Sequence, residues 1–320
     1  MKLVMVGLGK MGGNMAERLR RGGHDVVGYD AYALDRSDTS SLAEAVSALG
    51  AGPGRLVWVM VPAGDATQQV VDELAGLLAP GDLVVDGGNS RFTQSIARGA
   101  SLATVGVGFI DCGTSGGVWG LDNGYCLMVG GSTADVATAQ PVFDALAPPG
   151  GFAHVGPVGA GHYTKMVHNG IEYGMMQAFA EGVEILATSE LGIDVLAGLG
   201  SWRQGSVVRS WLLDLLVEGM ERNPTLEGIA PVAKDSGEGR WTVDEAVRLG
   251  VPAPVIAGSL WTRFQSQRES MAMKVVALLR DQFGGHGVVR EQLEEVATAP
   301  QAEPSRAVHP GDDPVQEPQP

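Results

Sequence analysis

The sequence lacks most of what would mark it as secreted, membrane-bound or nucleic-acid-binding. It holds two cysteines in 320 residues, Cys112 and Cys126, too few for a disulfide framework and without metal-type spacing. No His/Cys/Asp group has the spacing of a metal-ligand set, so no metal is expected. No apolar run reaches the roughly 20 residues of a membrane-spanning helix. No charged-then-apolar leader precedes the first strand pattern, which starts at residue 3. Positive charge is scarce: 22 Lys and Arg against 37 Asp and Glu leave a net −15. That balance argues against nucleic acid and anionic membranes, while permitting an anionic ligand in a locally basic pocket. The expectation is a reduced, cytoplasmic protein.

What is present is a strongly ordered run of motifs. Lys2 to Val6 (KLVMV) is a short apolar strand pattern that breaks directly into Gly7-Leu8-Gly9-Lys10-Met11-Gly12. A helical pattern follows, then a second strand pattern, Asp25 to Tyr29, closed by Asp30. Strand, GxGxxG, helix, strand and acid in this order read as a dinucleotide site, with Gly7 for the tight turn, Gly9 for approach of the pyrophosphate and Gly12 for helix packing. The helix N-terminus offers free N–H groups to phosphates. Asp30 stands where a carboxylate accepts the adenosine ribose hydroxyls and repels a 2′-phosphate, which favours NAD; Arg36 in the following polar loop leaves NADP possible.

The alternation continues through strand patterns at Arg55–Val61, Leu83–Asp86, Val105–Ile110, Tyr125–Val129 and Phe152–Val155, with helical patterns between them. This predicts an α/β fold: a Rossmann-type doubly wound parallel sheet, whose ligands sit beyond the carboxyl ends of the strands. Asp86-Gly87-Gly88-Asn89-Ser90 and the stretch Asp111 to Gly120 are both read as post-strand loops at that edge. Beyond residue 160 the strand signals stop. The expected organisation is a NAD(P)-binding domain over 1–160, an all-helical domain for substrate and oligomerisation over 161–290, and an acidic, Pro-rich, disordered tail over 291–320.

The first helical stretch, Gly161 to Gly174 (GHYTKMVHNGIEYG), places Lys165, His168, Asn169, Glu172 and Met176 on one face. Lys165 and Glu172 lie about 10 Å apart along the axis, too far for an ordinary i,i+4 pair but close enough to reach one small molecule between them. The flanking Met166, Val167, Ile171, Met175 and Met176 are expected to be buried. Trp202 and Trp211, on a later amphipathic stretch, read as core or subunit interface rather than ligand contacts.

Together GLGKMG, DGGNS (86–90), GTSGGVWG (113–120), GHYTKMVHNGIEYG (161–174), GEGRWT (237–242) and RDQFGGH (280–286) resemble the decarboxylating 6-phosphogluconate dehydrogenases of the β-hydroxyacid dehydrogenase superfamily. The resemblance runs to about residue 290, with the helical region in a short, unduplicated form. It implies Lys165 as general base and Glu172 as general acid, with His168 and Asn169 beside them. It implies Gly7, Leu8, Gly9, Lys10, Met11, Gly12, Asp30, Val61 and Asn89 as cofactor-binding, with NAD or NADP as the cofactor. Ser115, Gly116 and Gly117 match the loop that holds the substrate carboxylate, and Asn89, His168 and Asn169 match groups on substrate hydroxyls. Tyr173 and Arg263 match phosphate ligands. Arg280 and His286 match a pair supplied by the partner subunit, which implies a homodimer or homotetramer. One departure stands out: a further phosphate-binding lysine of the family falls on Ser236, with Lys234 or Arg240 as possible substitutes.

The chemistry suits these residues. Oxidising a secondary alcohol needs a base for the hydroxyl proton as hydride leaves. A lysine serves once neutral, which burial beside a cation such as His168 or Arg280 favours. The β-keto acid so formed loses CO₂, and the enediol left behind then needs a proton. The reading is oxidative decarboxylation of a phosphorylated sugar acid, 6-phosphogluconate. Its rivals are a non-decarboxylating β-hydroxyacid dehydrogenase of the hydroxyisobutyrate or tartronate semialdehyde type, and a non-catalytic dinucleotide sensor.

Overall fold

The computed structural model describes residues 1–284. Residues 1–268 form one compact unit, and a second unit begins at Glu269. The expected tail at 291–320 and His286 lie outside the described residues.

The first half alternates as its sequence dictates. β1 (Lys2–Val6), α1 (Lys10–Arg21), β2 (Asp25–Tyr29), α2 (Leu42–Ala48), β3 (Leu56–Val59), α3 (Asp65–Leu77), β4 (Leu83–Asp86) and α4 (Phe92–Ala103) follow one another. Then come β5 (Gly108–Ser115), α5 (Gly120–Asn123), β6 (Cys126–Gly130), α6 (Thr133–Leu146) and β7 (Phe152–Gly156). Among the described residues the strands make one seven-stranded sheet, ordered β2-β1-β3-β4-β5-β6-β7. Every neighbouring pair is parallel except β5 with β6.

The near-continuous apolar strands follow from burial on both faces. Along β1, Leu3 and Met5 join one core with Trp58, Val85 and Ile110, closed by Met15 and Leu19 of α1 and Phe143 of α6. Val4 and Val6 join the opposite core with Val57, Val59 and Val84, closed by Leu42, Val46, Val71, Leu74 and Leu102.

β5 differs from the expectation. The expected strand ended at Ile110, with a loop from Asp111, whereas β5 continues to Ser115. The reversed β6 supplies the reason: Asp111 to Ser115 pair antiparallel with Gly130 to Cys126, so even a run rich in small residues finds a ladder for its backbone groups. The loop proper begins at Gly116 (φ 135°) and Gly117 (φ 55°).

α7 (Ala160–Thr188) carries the chain out of the sheet region. It is followed by α8 (Val195–Trp202), α9 (Trp211–Arg222), α10 (Glu238–Leu249) and α11 (Pro254–Ser266). The second unit holds α12 (Met271–Gly284). Ser210 and Asp194 cap α9 and α8 through their side chains, the ordinary means of satisfying first-turn N–H groups. At α7 that work is done from the sheet: the buried Asp111 carboxylate accepts from Gly159 N (2.6 Å) and His162 N (2.7 Å). Burial raises the Asp111 pKa against the opposing pull of His162 and these amides.

No helix among the described residues is long and apolar enough to cross a membrane.

Candidate active site

A cleft of about 1700 Å³ runs along the carboxyl edge of the sheet and up the side of α7. At one end lies the glycine turn. A Cβ on Gly7 would come within 2.5 Å of the Met60 carbonyl oxygen, and one on Gly12 within 2.0 Å of Gly7 O, whereas one on Gly9 would meet nothing within 4 Å. The first and third glycines are thus required by the protein's own packing, and the second opens onto the cleft. Gly9 is also the N-cap of α1 and brings no capping side chain, so the first-turn amides are left for an anion. Lys10, Met11 and Val61 line the same end.

Asp30 closes this end. Its carboxylate accepts from Leu8 N (2.8 Å) and Tyr32 N (2.9 Å), which fixes both oxygens while leaving each a lone pair for a ribose hydroxyl. Leu8 itself does not line the cleft; its side chain is buried and its contribution is the N–H that holds Asp30. These features fit the adenosine and pyrophosphate of a dinucleotide.

The loop after β4 is built around Asp86. Its fully buried carboxylate accepts from Ser90 Oγ (2.8 Å), Gly88 N (3.2 Å) and Arg98 Nη1 (3.2 Å). Arg98 is 1% exposed and is also held by Ser90 Oγ, Gln68 and the Gly64 carbonyl. This paired charge keeps Asn89 at the cleft wall.

Opposite stands α7. Lys165, His168, Asn169 and Glu172 all line the cleft, together with Ser115, Gly116 and Gly117. The close approach of α7 to β5 depends on Gly113, where a Cβ would lie 2.4 Å from Lys165 Cβ. Lys165 is 7% exposed. Burial lowers its pKa, and Glu172, Glu238 and Cys126 pull in the other direction without reversing the shift. His168 Nδ1 lies 3.0 Å from Asn169 Oδ1 and 3.9 Å from Glu172 Oε2.

Four placements differ from the expectation. Met166 is buried, but Ile171 is 52% exposed, Met175 38% and Met176 37%, and Ile171 and Met175 line the cleft. The polar stripe faces inward because small residues and Lys165 fit against β5, which turns Ile171 and Met175 towards the ligand space. Trp211, expected in a core or interface, also lines the cleft with Leu212 and Leu215 of α9, near Val118 and Trp119. Its apolar spacing is that of a core face, so periodicity could not separate the two roles.

The groups expected at a phosphate form a second cluster, which does not line the cleft. Arg263 lies over the Tyr173 ring at 3.4 Å and donates to the Lys234 carbonyl (3.1 Å). Tyr173 OH accepts from Ser236 N (3.2 Å). Arg240 makes a two-pronged pair with Asp235 (2.9 and 3.0 Å). Between this cluster and the cleft wall sits Glu238, 2% exposed and not singled out from the sequence. It accepts from Asn89 Nδ2 and from Ser236 Oγ. Arg280 lies on α12 in the second unit.

Comparison with known proteins follows the same division. Residues 2–159 match the NAD binding domain of 6-phosphogluconate dehydrogenase, and residues 161–299 match the C-terminal domain of 6-phosphogluconate dehydrogenase. A putative 6-phosphogluconate dehydrogenase of Bacillus subtilis is 39% identical over 300 residues, covering 91% of this chain and 100% of the relative. An NAD(+)-dependent, decarboxylating 6-phosphogluconate dehydrogenase of Haloferax volcanii is 40% identical over 302 residues, covering 91% and 99%. The solved Plasmodium falciparum 6-phosphogluconate dehydrogenase shares the fold, with a TM-score of 0.74 at 23% identity over 92% of this chain and 67% of that one.

Proposed function

This chain belongs to the 6-phosphogluconate dehydrogenase family, and from that premise we propose that it converts 6-phospho-D-gluconate to D-ribulose 5-phosphate and CO₂ while reducing NAD. The observation that carries the reading is a buried lysine and a glutamate two turns apart on α7, opening onto the cleft that also holds the glycine turn.

Each role follows from position. The α1 amides with Gly7, Gly9 and Gly12 hold the cofactor pyrophosphate, Asp30 takes the ribose, and Lys10, Met11, Val61 and Asn89 complete that wall. When bound, the nicotinamide supplies the hydride acceptor. Ser115 with the Gly116 and Gly117 backbone holds the substrate carboxylate; Asn89, His168 and Asn169 take its hydroxyls.

Lys165, its pKa lowered by burial, takes the hydroxyl proton as the C–H hydride leaves. The ammonium so formed then donates to the new carbonyl oxygen, which receives the electron pair of the breaking C–C bond as CO₂ departs. Glu172 delivers a proton to the carbon that carried the carboxylate, giving the product ketone. Tyr173 and Arg263 are proposed for the phosphate, with Ser236 where the family has a lysine. Arg280 and His286 are proposed to complete the pocket of a partner copy in a homodimer or homotetramer.

The reading divides the chain into a cofactor part over 1–160 and a helical part over 161–290. A thiol held fully buried at Cys112, with its pKa pushed far up by burial, suits the reduced cytoplasm proposed as its location.

The test is absorbance at 340 nm with 6-phosphogluconate and either NAD or NADP, with CO₂ measured in parallel. Stoichiometric NADH and CO₂ support the proposal. Reduction without CO₂ would replace it with a simple β-hydroxyacid dehydrogenase, and preference for NADP would overturn the role given to Asp30. Full activity in a monomer by sedimentation would defeat the oligomer.

A further inference from the structure

Glu238 is a buried carboxyl group placed among groups assigned to an anionic substrate, and no step above uses it. Its two oxygens collect the donors around it: Asn89 Nδ2 on one, Ser236 Oγ on the other. Ser236 in turn meets the Tyr173 hydroxyl, and Arg263 covers the Tyr173 ring. A carboxylate only accepts, so Glu238 turns the Asn89 amide nitrogen away from a ligand and occupies the Ser236 hydroxyl. Its position in the first turn of α10 suits a negative charge. Of the nearby cations, Arg240 is matched by Asp235, while Lys165 feels the Glu238 charge across the cleft wall.

We propose that Glu238 is a specificity-determining residue: a buried carboxylate behind the cleft wall that competes with the substrate's phosphate for the donors there. This rests on the reading of Tyr173, Ser236 and Arg263 as the phosphate end. A phosphate enters only by taking Asn89 and Ser236 from Glu238 and by tolerating its charge. An unphosphorylated sugar acid, ending in a neutral hydroxyl, meets no such repulsion. Glu238 therefore narrows the advantage of the phosphorylated substrate over its unphosphorylated form. Two like charges a few ångströms apart at a partly shielded site change affinity by about tenfold or more.

The experiment is calorimetric titration of the full chain, without nucleotide, by 6-phosphogluconate and by D-gluconate. Four proteins are compared: wild type, E238Q, E238S and E238D. E238Q and E238S both remove the charge, so a folding defect in one leaves the other informative, while E238D retains it. The expected result is 6-phosphogluconate binding about tenfold tighter in E238Q and E238S, with D-gluconate changed less than twofold and E238D near wild type. Unchanged or weaker 6-phosphogluconate binding in the neutral variants would overturn the proposal, as would an equal gain for both ligands. If wild type binds 6-phosphogluconate but fails to turn it over, the proposed reaction fails while the role of Glu238 is still decided by the titrations.

Discussion

The sheet region and the helical region both bury charge, and they use it differently. Under the sheet the buried carboxylates Asp82, Asp86 and Asp111 are each tied down. Asp86 pairs with Arg98, Asp82 with Arg55 at 2.5 Å, and Asp111 holds the amides at the start of α7. In the helical region Lys165 makes no ion pair within 4.0 Å and no hydrogen bond among the described residues, yet it is as buried as a core side chain. The apolar groups divide likewise. The sheet closes two cores over its faces, while the helices gather a small one around Leu199, Leu213, Val217 and Met220. Ile185, Val247 and Val255 there stay about 70% exposed or more. Paired buried charge fixes a structure; the unpaired Lys165 beside the cleft is the charge proposed for the reaction.

The sharpest way to break this comparison is Lys165→Ala. If the lysine is held for chemistry, kcat falls by about 10³-fold or more, while the melting temperature is unchanged or raised because an unpaired buried cation is gone. Retained NAD binding, measured by fluorescence titration, completes the expectation; loss of folding would place Lys165 with the structural charges instead. Arg98→Ala tests the opposite case. Leaving Asp86 buried and alone costs about 3–5 kcal/mol, read in urea unfolding, with loss of activity only as the protein unfolds. Its control is Arg203→Ala, which breaks the half-exposed pair with Asp214 (2.8 Å) and should shift the urea midpoint far less than Arg98→Ala.

A smaller effect is expected at Asp30, where Asn keeps the shape and removes the charge. The ratio of kcat/KM for NAD to that for NADP should fall by about tenfold, since one repulsion at the 2′-phosphate is lost. The mildest test is the pH profile. Burial lowers the Lys165 pKa in the folded protein, so the lysine sheds its proton at lower pH than an exposed one. kcat/KM should therefore rise with pH along a limb centred below the ordinary lysine value of about 10.4. The sign for stability is the reverse of an ion pair's: charging Lys165 strains the folded state at low pH, and that cost fades as pH climbs through its lowered pKa. A limb at or above the ordinary value would remove Lys165 as the base.

Much of the sheet region was legible because its constraints are local. A strand buried on both faces must read as an apolar run, and a turn against a phosphate must read as glycine. Lys165 and Glu172 were legible for a similar reason, since helical spacing alone puts them on one face. What stayed hidden depended on partners distant in the chain. Asp111 to Ser115 read as a loop because only β6 makes it a strand. Ile171, Met175 and Trp211 read as core because apolar spacing cannot distinguish a core from a cleft wall awaiting a ligand. Glu238 lay within a quoted motif, and its signal was a carboxylate in the first turn of a helix. Its contact with Asn89, 149 positions away, had no trace in the sequence.

The anchoring of α7 by Asp111 has a mechanical consequence. The helix is fastened to the sheet at its first turn and runs 29 residues outward, so it acts as a lever with its fulcrum at the sheet edge. A tilt of about 5° about that point moves Lys165 by roughly 0.7 Å and Glu172 by roughly 1.6 Å. Lys165 stays near the fulcrum while Glu172 travels more than twice as far. On the roles proposed for the two residues, such a tilt would fall mainly on the final protonation step.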